Sequence, residues 1–390
     1  MLQRLRVPAN VDDVREAARR TMPKMVFDYV DGGSGSELTM RANREAFDEV
    51  VFRPRMAVPV LDPDLTTTVL GIPLAMPVLL SPCGGLRAMH PDGEAGVARA
   101  AHRAGVTFAL STAAGTSIED VAAASDGPLL FQLYFLGGRA GAERLIDRAE
   151  HAGFRGLVVT VDTNVAGTRA RDVRNGMTAG PYVNARNIVR FAPQVATRPG
   201  WLLRFVRDGM NVELANTKAL GPGGSPMDPT DAHMAMFAEP PTWSDIEWIR
   251  ERWRAPLAVK GVLTADDARR AADLGADAVI VSNHGGRQLD GAPATMRALP
   301  EVVDAVGDRV EVLLDSGARR GSDVVRALAV GARAVMFGRA YVYGLGAGGE
   351  AGVDTVLRLL RDDLRNTMQL LGCDSVRTLD RGWLAAATTP

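Results

Sequence analysis

The stretch ADAVIVSNHGGRQLD, residues 276–290, is where the fold is read. Ala278–His284 is a short apolar run that ends in polar residues, which is how a strand covered on both faces reads. Just upstream, Ala265–Leu274 has the spacing of an amphipathic helix. Working outward, the same pair recurs. Strands are expected at Met76–Ser81, Thr107–Thr112, Leu129–Tyr134, Gly156–Asp162, Pro256–Gly261, Val310–Asp315 and Ala334–Gly338. The clearest further helices are Gly93–Ala104, Gly141–Ala152 and Ser322–Val330. Eight alternating units point to an α/β fold, a closed (β/α)8 TIM barrel rather than a doubly wound sheet.

Two segments depart from the rhythm. The first ~65 residues form a helical preface, with Asn10 or Asp12 capping a helix over Val11–Arg20 and Pro23 opening a new turn. After the fourth strand, Thr163–Ala255 carries a long insertion, residues 177–241, within a single domain spanning 1–390. Its later part, LGPGGSPMDPTDAHMAMFAEPP, is rich in Pro, Gly and Met. Its earlier part, Met177–Arg207, holds Arg186, Arg190, Arg198, Arg204 and Arg207 and no acid. Trp201, Leu202, Leu203, Phe205 and Val206 lie among these arginines. Such a segment reads either as an active-site lid with solvated arginines or as a surface that rests on an anionic bilayer.

Charge and cysteine content exclude several classes. Forty-five Lys and Arg against 46 Asp and Glu give no electrostatic footprint for nucleic acid. The two cysteines, Cys83 and Cys373, form no CxxC pair, so neither a disulfide framework nor a metal site is expected, and a reducing compartment is. No secretory h-region follows the first residues, and no apolar run reaches the ~20 residues of a membrane span. The expectation is a cytoplasmic protein, peripheral on the membrane if the insertion is a surface segment.

Barrel chemistry gathers at the C-terminal ends of strands. There the sequence places Ser111, Gln132 with Tyr134, Thr160 with Asp162, Lys260, Ser282 with His284, Asp315 and Arg339. DSGARRGSD (Asp315–Asp323) sets Gly317, Arg319 and Gly321 at a strand-to-helix turn, and FGRA (Phe337–Ala340) repeats the Gly-Arg pair at Gly338 and Arg339. Backbone N–H groups there suit a phosphate monoester. Gly344–Gly349 matches GxGxxG, but no βαβ unit surrounds it, so a dinucleotide reading fails. His284 ends a strand, and Arg287 follows across two glycines: a base beside a carboxylate anchor, as proton abstraction from an anionic substrate requires. Asp162 is placed to orient His284 and stabilise its imidazolium.

These residues lie in longer strings: PKMVFDYVDGGSGSELT, FQLY, TVDTNVAGTRARDVRNG, VKGVLT, SNHGGRQLD, DSGARRGSDVVRALAVGA and FGRAYVYGL. Together, over about residues 5–375, they resemble the FMN-dependent 2-hydroxy acid oxidases and dehydrogenases. The long insertion further resembles the bacterial mandelate and L-lactate dehydrogenase branch. The resemblance implies FMN as cofactor and oxidation of an (S)-2-hydroxy acid, with His284 as base paired to Asp162. It implies that Arg169 and Arg287 clamp the substrate carboxylate, that Tyr29 and Tyr134 hydrogen-bond substrate, and that Lys260 stabilises charge on the reduced flavin. Pro82, Cys83 and Gly84, with Ser111, Gln132, Thr160 and Ser282, would bind the ring. Asp315, Gly317, Arg319, Gly338 and Arg339 would hold the ribityl phosphate.

There are departures from the family pattern. Cys83-Gly84-Gly85 follows Pro82 where Thr-Ala or Thr-Gly is common, Asn164 replaces a proline, and Ala113 stands where glycolate oxidases carry Trp. Gly84, Ala113 and Ala166 are small residues around the expected substrate pocket, so a bulky or aromatic acid, mandelate-like, is expected alongside lactate. Alternatives are a lactate-monooxygenase-like outcome, another FMN barrel enzyme, or a barrel that binds its ligand without catalysis. The electron acceptor is expected to be oxygen or a quinone, and the chain to form a homo-oligomer.

Overall fold

The computed structural model describes residues 7–177, 188–210, 214–217, 231 and 235–385. Three helices come first: α1 (Val11–Thr21), α2 (Lys24–Asp31) and α3 (Leu38–Asp48). Asn10 caps α1 by accepting from the Asp13 N–H at 2.9 Å. An antiparallel hairpin follows, β1 (Thr67–Val69) and β2 (Ile72–Leu74). Then come the barrel strands β3 (Val78–Leu80), β4 (Thr107–Ser111), β5 (Leu129–Leu133), β6 (Gly156–Thr160), β7 (Leu257–Val262), β8 (Ala278–Val281), β9 (Glu311–Asp315) and β10 (Ala334–Phe337). They pair in parallel in that order, and β10 closes on β3. The expected closed (β/α)8 barrel is the architecture found.

Side chains alternate along each strand. Leu79, Ala109, Leu130, Val158, Ala258, Ile280, Leu313 and Met336 point inward and form one buried cluster. Their neighbours Leu80, Phe108, Phe131, Val159, Val279, Leu314 and Phe337 pack outward beneath the helices. Both faces are dry, which is why these strands read as unbroken apolar runs. The hairpin completes the inner cluster with Val69, Leu70, Ile72 and Leu74. The Leu70 N–H donates to the carboxylate of Glu311, the first residue of β9, at 2.9 Å. The hairpin therefore stops the N-terminal end of the barrel and leaves chemistry to the opposite mouth.

At that mouth α3 is tied to the β8 loop. Asn43 and Asn283, both buried, exchange amide hydrogen bonds at 2.8 Å. Asp290 accepts from the Ser36 and Thr39 N–H groups. The helical preface thus forms part of the site.

The insertion lies against this body where it is described. Trp201 and Phe205 stack at 4.7 Å and are buried, and the Trp201 indole donates to the Ala88 carbonyl at 3.0 Å. Arg87 pairs with Asp208, and Gln194 accepts from the Met25 N–H. Arg186 falls outside the described residues. The Gly344–Gly349 motif lies inside the helix Arg339–Leu371, which kinks at Gly348 and Gly349. A Cβ at Gly344 would come 2.5 Å from the Gly352 carbonyl, so this glycine serves close packing of the chain on itself.

Candidate active site

Strand β8 stops at Val281, three residues before the expected end. The reason is conformational: His284 (φ 60°), Gly285 (φ 68°) and Gly286 (φ 71°) are three successive left-handed residues, which no strand accommodates. Left-handed backbone at a side chain such as His284 costs about 1–3 kcal/mol and persists only where the surroundings impose it. Here the His284 N–H donates to Ser282 Oγ (3.1 Å), the Gly285 N–H to Ser316 Oγ (2.8 Å) and the Gly286 N–H to Asn283 Oδ1 (3.0 Å). The turn lifts the imidazole into the barrel mouth.

There His284 Nδ1 lies 3.0 Å from Asp162 Oδ1, and Nε2 lies 3.5 Å from the Tyr134 hydroxyl. Burial opposes charge on Asp162, but His284 and Lys260 outweigh it and hold the carboxyl below the usual range. Burial, then Asp162, pushes the Tyr134 phenol far up, so it stays protonated. Beneath them Lys260 Nζ donates to Ser282 Oγ (2.9 Å) and pairs with Asp315 Oδ2 (3.1 Å). Asp315 also accepts from the Ser81 and Ser282 hydroxyls. Burial works against the Lys260 ammonium, yet Asp315 and Asp162 raise its pKa, so it is a fixed positive charge.

The two expected arginines meet at Tyr29. The Arg287 guanidinium stands 4.9 Å from its ring centroid and that of Arg169 5.4 Å. Arg169 pairs with Asp172 at 3.4 Å. Arg287 makes no ion pair among the described residues and donates to the Tyr29 (2.6 Å) and Gly32 (2.9 Å) carbonyls. Burial and the neighbouring Arg169 depress its pKa. An anion placed there relieves both.

A cavity of about 1260 Å³, counting the part open to solvent, joins these groups to the turns after β9 and β10. The residues present along it fit FMN. Gln132 Nε2, buried beside Ser111, has no partner among the described residues. Gly317 (φ 91°) has no room for a Cβ, which would fall 2.4 Å from the Asn43 carbonyl. Arg319 and Arg339 line the same end. Burial lowers the Arg339 pKa to about 10 while its guanidinium is held by three carbonyls and, among the described residues, no carboxylate. Such a site lacks an anion, and a phosphate is one.

The cavity is also lined by Tyr29, Pro82, Cys83, Gly84, Ala113, Tyr134 and Gly338. Thr160 is buried opposite Lys260 in the β6–β7 register, and Ser282 is buried within the Lys260–Asp315 network. Ala166 is different: it is exposed and does not line the cavity. Residues not foreseen from sequence are Met236 and Phe237, which the insertion contributes to the wall, with Leu86, Met89 and Gln288. Met236 and Phe237 gave no sequence signal beyond hydrophobicity inside an irregular segment, whereas Gln288 stands within SNHGGRQLD.

Comparison with known proteins shows the family. Residues 18–386 match the FMN-dependent dehydrogenase family. An L-lactate dehydrogenase of Caulobacter vibrioides is 44% identical over 380 residues, 97% of this chain and 98% of the relative. A pre-mycofactocin synthase of Mycobacterium tuberculosis is 44% identical over 368 residues, 94% of this chain and 91% of the relative. Among solved structures, the monotopic membrane protein (S)-mandelate dehydrogenase superposes with a TM-score of 0.89 at 40% identity, over 97% of this chain and 100% of that one. The fold and site define an FMN-binding barrel oxidoreductase. The chain belongs to the FMN-dependent dehydrogenase family, in the group of 2-hydroxy acid dehydrogenases and oxidases.

Proposed function

We propose that the chain oxidises an (S)-2-hydroxy acid with a bulky or aromatic substituent, or lactate, to the 2-oxo acid. One observation carries this reading: Arg287, half-buried and without a carboxylate partner among the described residues, stands beside the His284–Asp162 pair at the mouth of one cavity. Arg287 and Arg169 hold the substrate carboxylate, and Tyr29 between them accepts or donates at its edge. His284 Nε2 takes the proton of the 2-hydroxyl, and Asp162 stabilises the imidazolium that forms. Bound FMN supplies the acceptor for the hydride of the α-carbon. Lys260 keeps positive charge at that end of the cavity.

The substituent is accommodated by small and apolar neighbours. Gly84 and Ala113 touch, since a Cβ on Gly84 would lie 2.9 Å from Ala113 Cβ. Leu86, Met89, Met236 and Phe237 complete the apolar lining. The test is anaerobic addition of mandelate, lactate and glycolate to the yellow protein. Bleaching of the flavin by mandelate or lactate is expected, and air readmitted afterwards reports whether oxygen or only a quinone analogue reoxidises it. A flavin that no 2-hydroxy acid bleaches sinks the reading.

For the insertion we propose both roles, divided between its parts. Met236 and Phe237 act as pocket wall. The outer face of Pro199–Arg207 acts as a peripheral contact with an anionic bilayer. Trp201 and Phe205 turn inward, but Leu203 is 51% exposed and Val206 50%, beside the exposed Arg207. No described helix is long and apolar enough to cross a membrane. Co-sedimentation with phosphatidylserine vesicles, lost on changing Leu203 and Val206 to Glu, is expected; equal sedimentation of both proteins refutes it.

A further inference from the structure

We propose that Gln288 is a positioning residue that sets the spacing of the two halves of the site. Resting on the reading of Arg169 and Arg287 as the carboxylate clamp, it explains what holds them together. The clamp and the His284–Asp162 pair are each split between two loops. One loop follows β8 and carries His284 and Arg287. The other follows β6 and carries Asp162 and Arg169. Besides the His284–Asp162 contact itself, the side chain of Gln288 ties the first loop to the main chain of the second. Gln288 Nε2 donates to the Asp162 carbonyl and to the Val165 carbonyl, each at 3.0 Å. Its Oε1 accepts from the Gly167 N–H at 3.0 Å. One amide thereby satisfies three backbone groups of the opposite loop, in a segment with no secondary structure of its own.

Gly167 completes the contact. A Cβ there would fall 2.3 Å from the Arg287 carbonyl and 2.9 Å from Gln288 Cα. The loops touch backbone to backbone at the point where the amide ties them. The joint is keyed to the preface as well, since the Thr168 carbonyl accepts from the Gly35 N–H (2.8 Å) and the Gly286 carbonyl from the Ser34 N–H (2.8 Å). Because the three partners of Gln288 are all main chain, its side chain acts on substrate through the residues it aligns. A displacement of about 1 Å in such an arrangement costs about 100-fold in rate.

Two variants test this from opposite sides. Gln288→Glu keeps the acceptor for Gly167 but sets carboxylate oxygens against two carbonyls. Gly167→Ala leaves the amide intact and pushes the loops apart. Both proteins are expected to purify with full FMN and with a Tm close to wild type. Oxalate, a small dianion that takes no part in turnover, is titrated into the oxidised proteins and followed by the flavin absorbance. Its Kd is expected to rise about 10–100-fold in both variants, and kcat/KM for the 2-hydroxy acid to fall about 100-fold, whereas Gln288→Asn retains part of the wild-type affinity. Unchanged oxalate affinity in a folded, yellow Gln288→Glu protein overturns the proposal. So does FMN loss or a collapsed Tm in both variants, which assigns the joint to the fold alone. Oxalate binding is read without turnover, so failure of the wild type to oxidise any 2-hydroxy acid counts against the proposed function and leaves this result standing.

Discussion

Asp162 Oδ1 and His284 Nδ1 stand 3.0 Å apart across 122 positions of sequence, brought together by the mouths of β6 and β8. The carboxylate fixes one ring nitrogen, so the other, Nε2, faces Tyr134 and the cavity. Removing the imidazole in His284→Ala is expected to lower kcat by about 10²–10⁴-fold. FMN content should not change, because the cofactor cradle lies after β9 and β10. Stopped-flow bleaching by substrate measures it, and retention of more than about a tenth of the rate shows the base to be another group.

Arg287→Lys is expected to damage binding although the charge is kept. The guanidinium spends N–H groups on the Tyr29 and Gly32 carbonyls and still has others for a substrate carboxylate. An ammonium cannot reproduce that planar fork. Loss of one charged hydrogen bond is worth about 1.5–3 kcal/mol, or roughly 10–150-fold in kcat/KM. Steady-state kinetics with lactate and mandelate decide it; values equal to wild type place Arg287 outside the substrate site.

On the proposed reading, the wall at Gly84 and Ala113 would set a size preference. Covering an aromatic substituent there is worth about 1.5–3 kcal/mol relative to leaving it in water. Mandelate should therefore exceed glycolate in kcat/KM by roughly 10–150-fold. Ala113→Trp should reverse the order selectively, weakening mandelate while sparing lactate. Equal losses for every acid would mean that the indole had disturbed the flavin, which the visible spectrum reports independently.

The Lys260–Asp315 pair makes stability depend on pH. Burial alone would raise the Asp315 pKa, but Lys260 and the two serine hydroxyls hold it below its ordinary value. A carboxyl whose folded pKa is depressed contributes fully above its unfolded value of about 3.9. That contribution is lost as pH falls through the folded value. Asp315→Asn, which strands a buried ammonium, is expected to cost about 3–5 kcal/mol at neutral pH. The Tm gap between the two proteins should be constant above about pH 5 and close progressively in acid. A gap independent of pH down to 2 would show that the carboxylate charge does not contribute.

The barrel was legible because its strands are buried on both faces and so read as apolar runs: Leu129–Leu133 and Gly156–Thr160 were read to within two residues at either end. The hairpin at Thr67–Leu74 was not, since strands of three residues carry too little pattern. Strand-end polarity pointed to Lys260 and Asp315, which β7 and β9 carry within the strands themselves, and to His284, which the left-handed turn after β8 delivers to the mouth. It could not find Asn43 or Gln288, whose roles consist of partners supplied by distant loops. Nor could it place Ala166, which lies in the irregular loop after β6 and faces outward.

Met236 and Phe237 enter the pocket from the same excursion of chain that carries Leu203 and Val206 on its outside. On the division of roles proposed above, substrate fit and membrane contact would reside in one excursion of chain, held to the barrel through Trp201 within it and followed by the helix Trp243–Arg252. Under that proposal, exchanging this excursion alone would alter both together and leave His284, Lys260 and the turns after β9 and β10 where the barrel holds them.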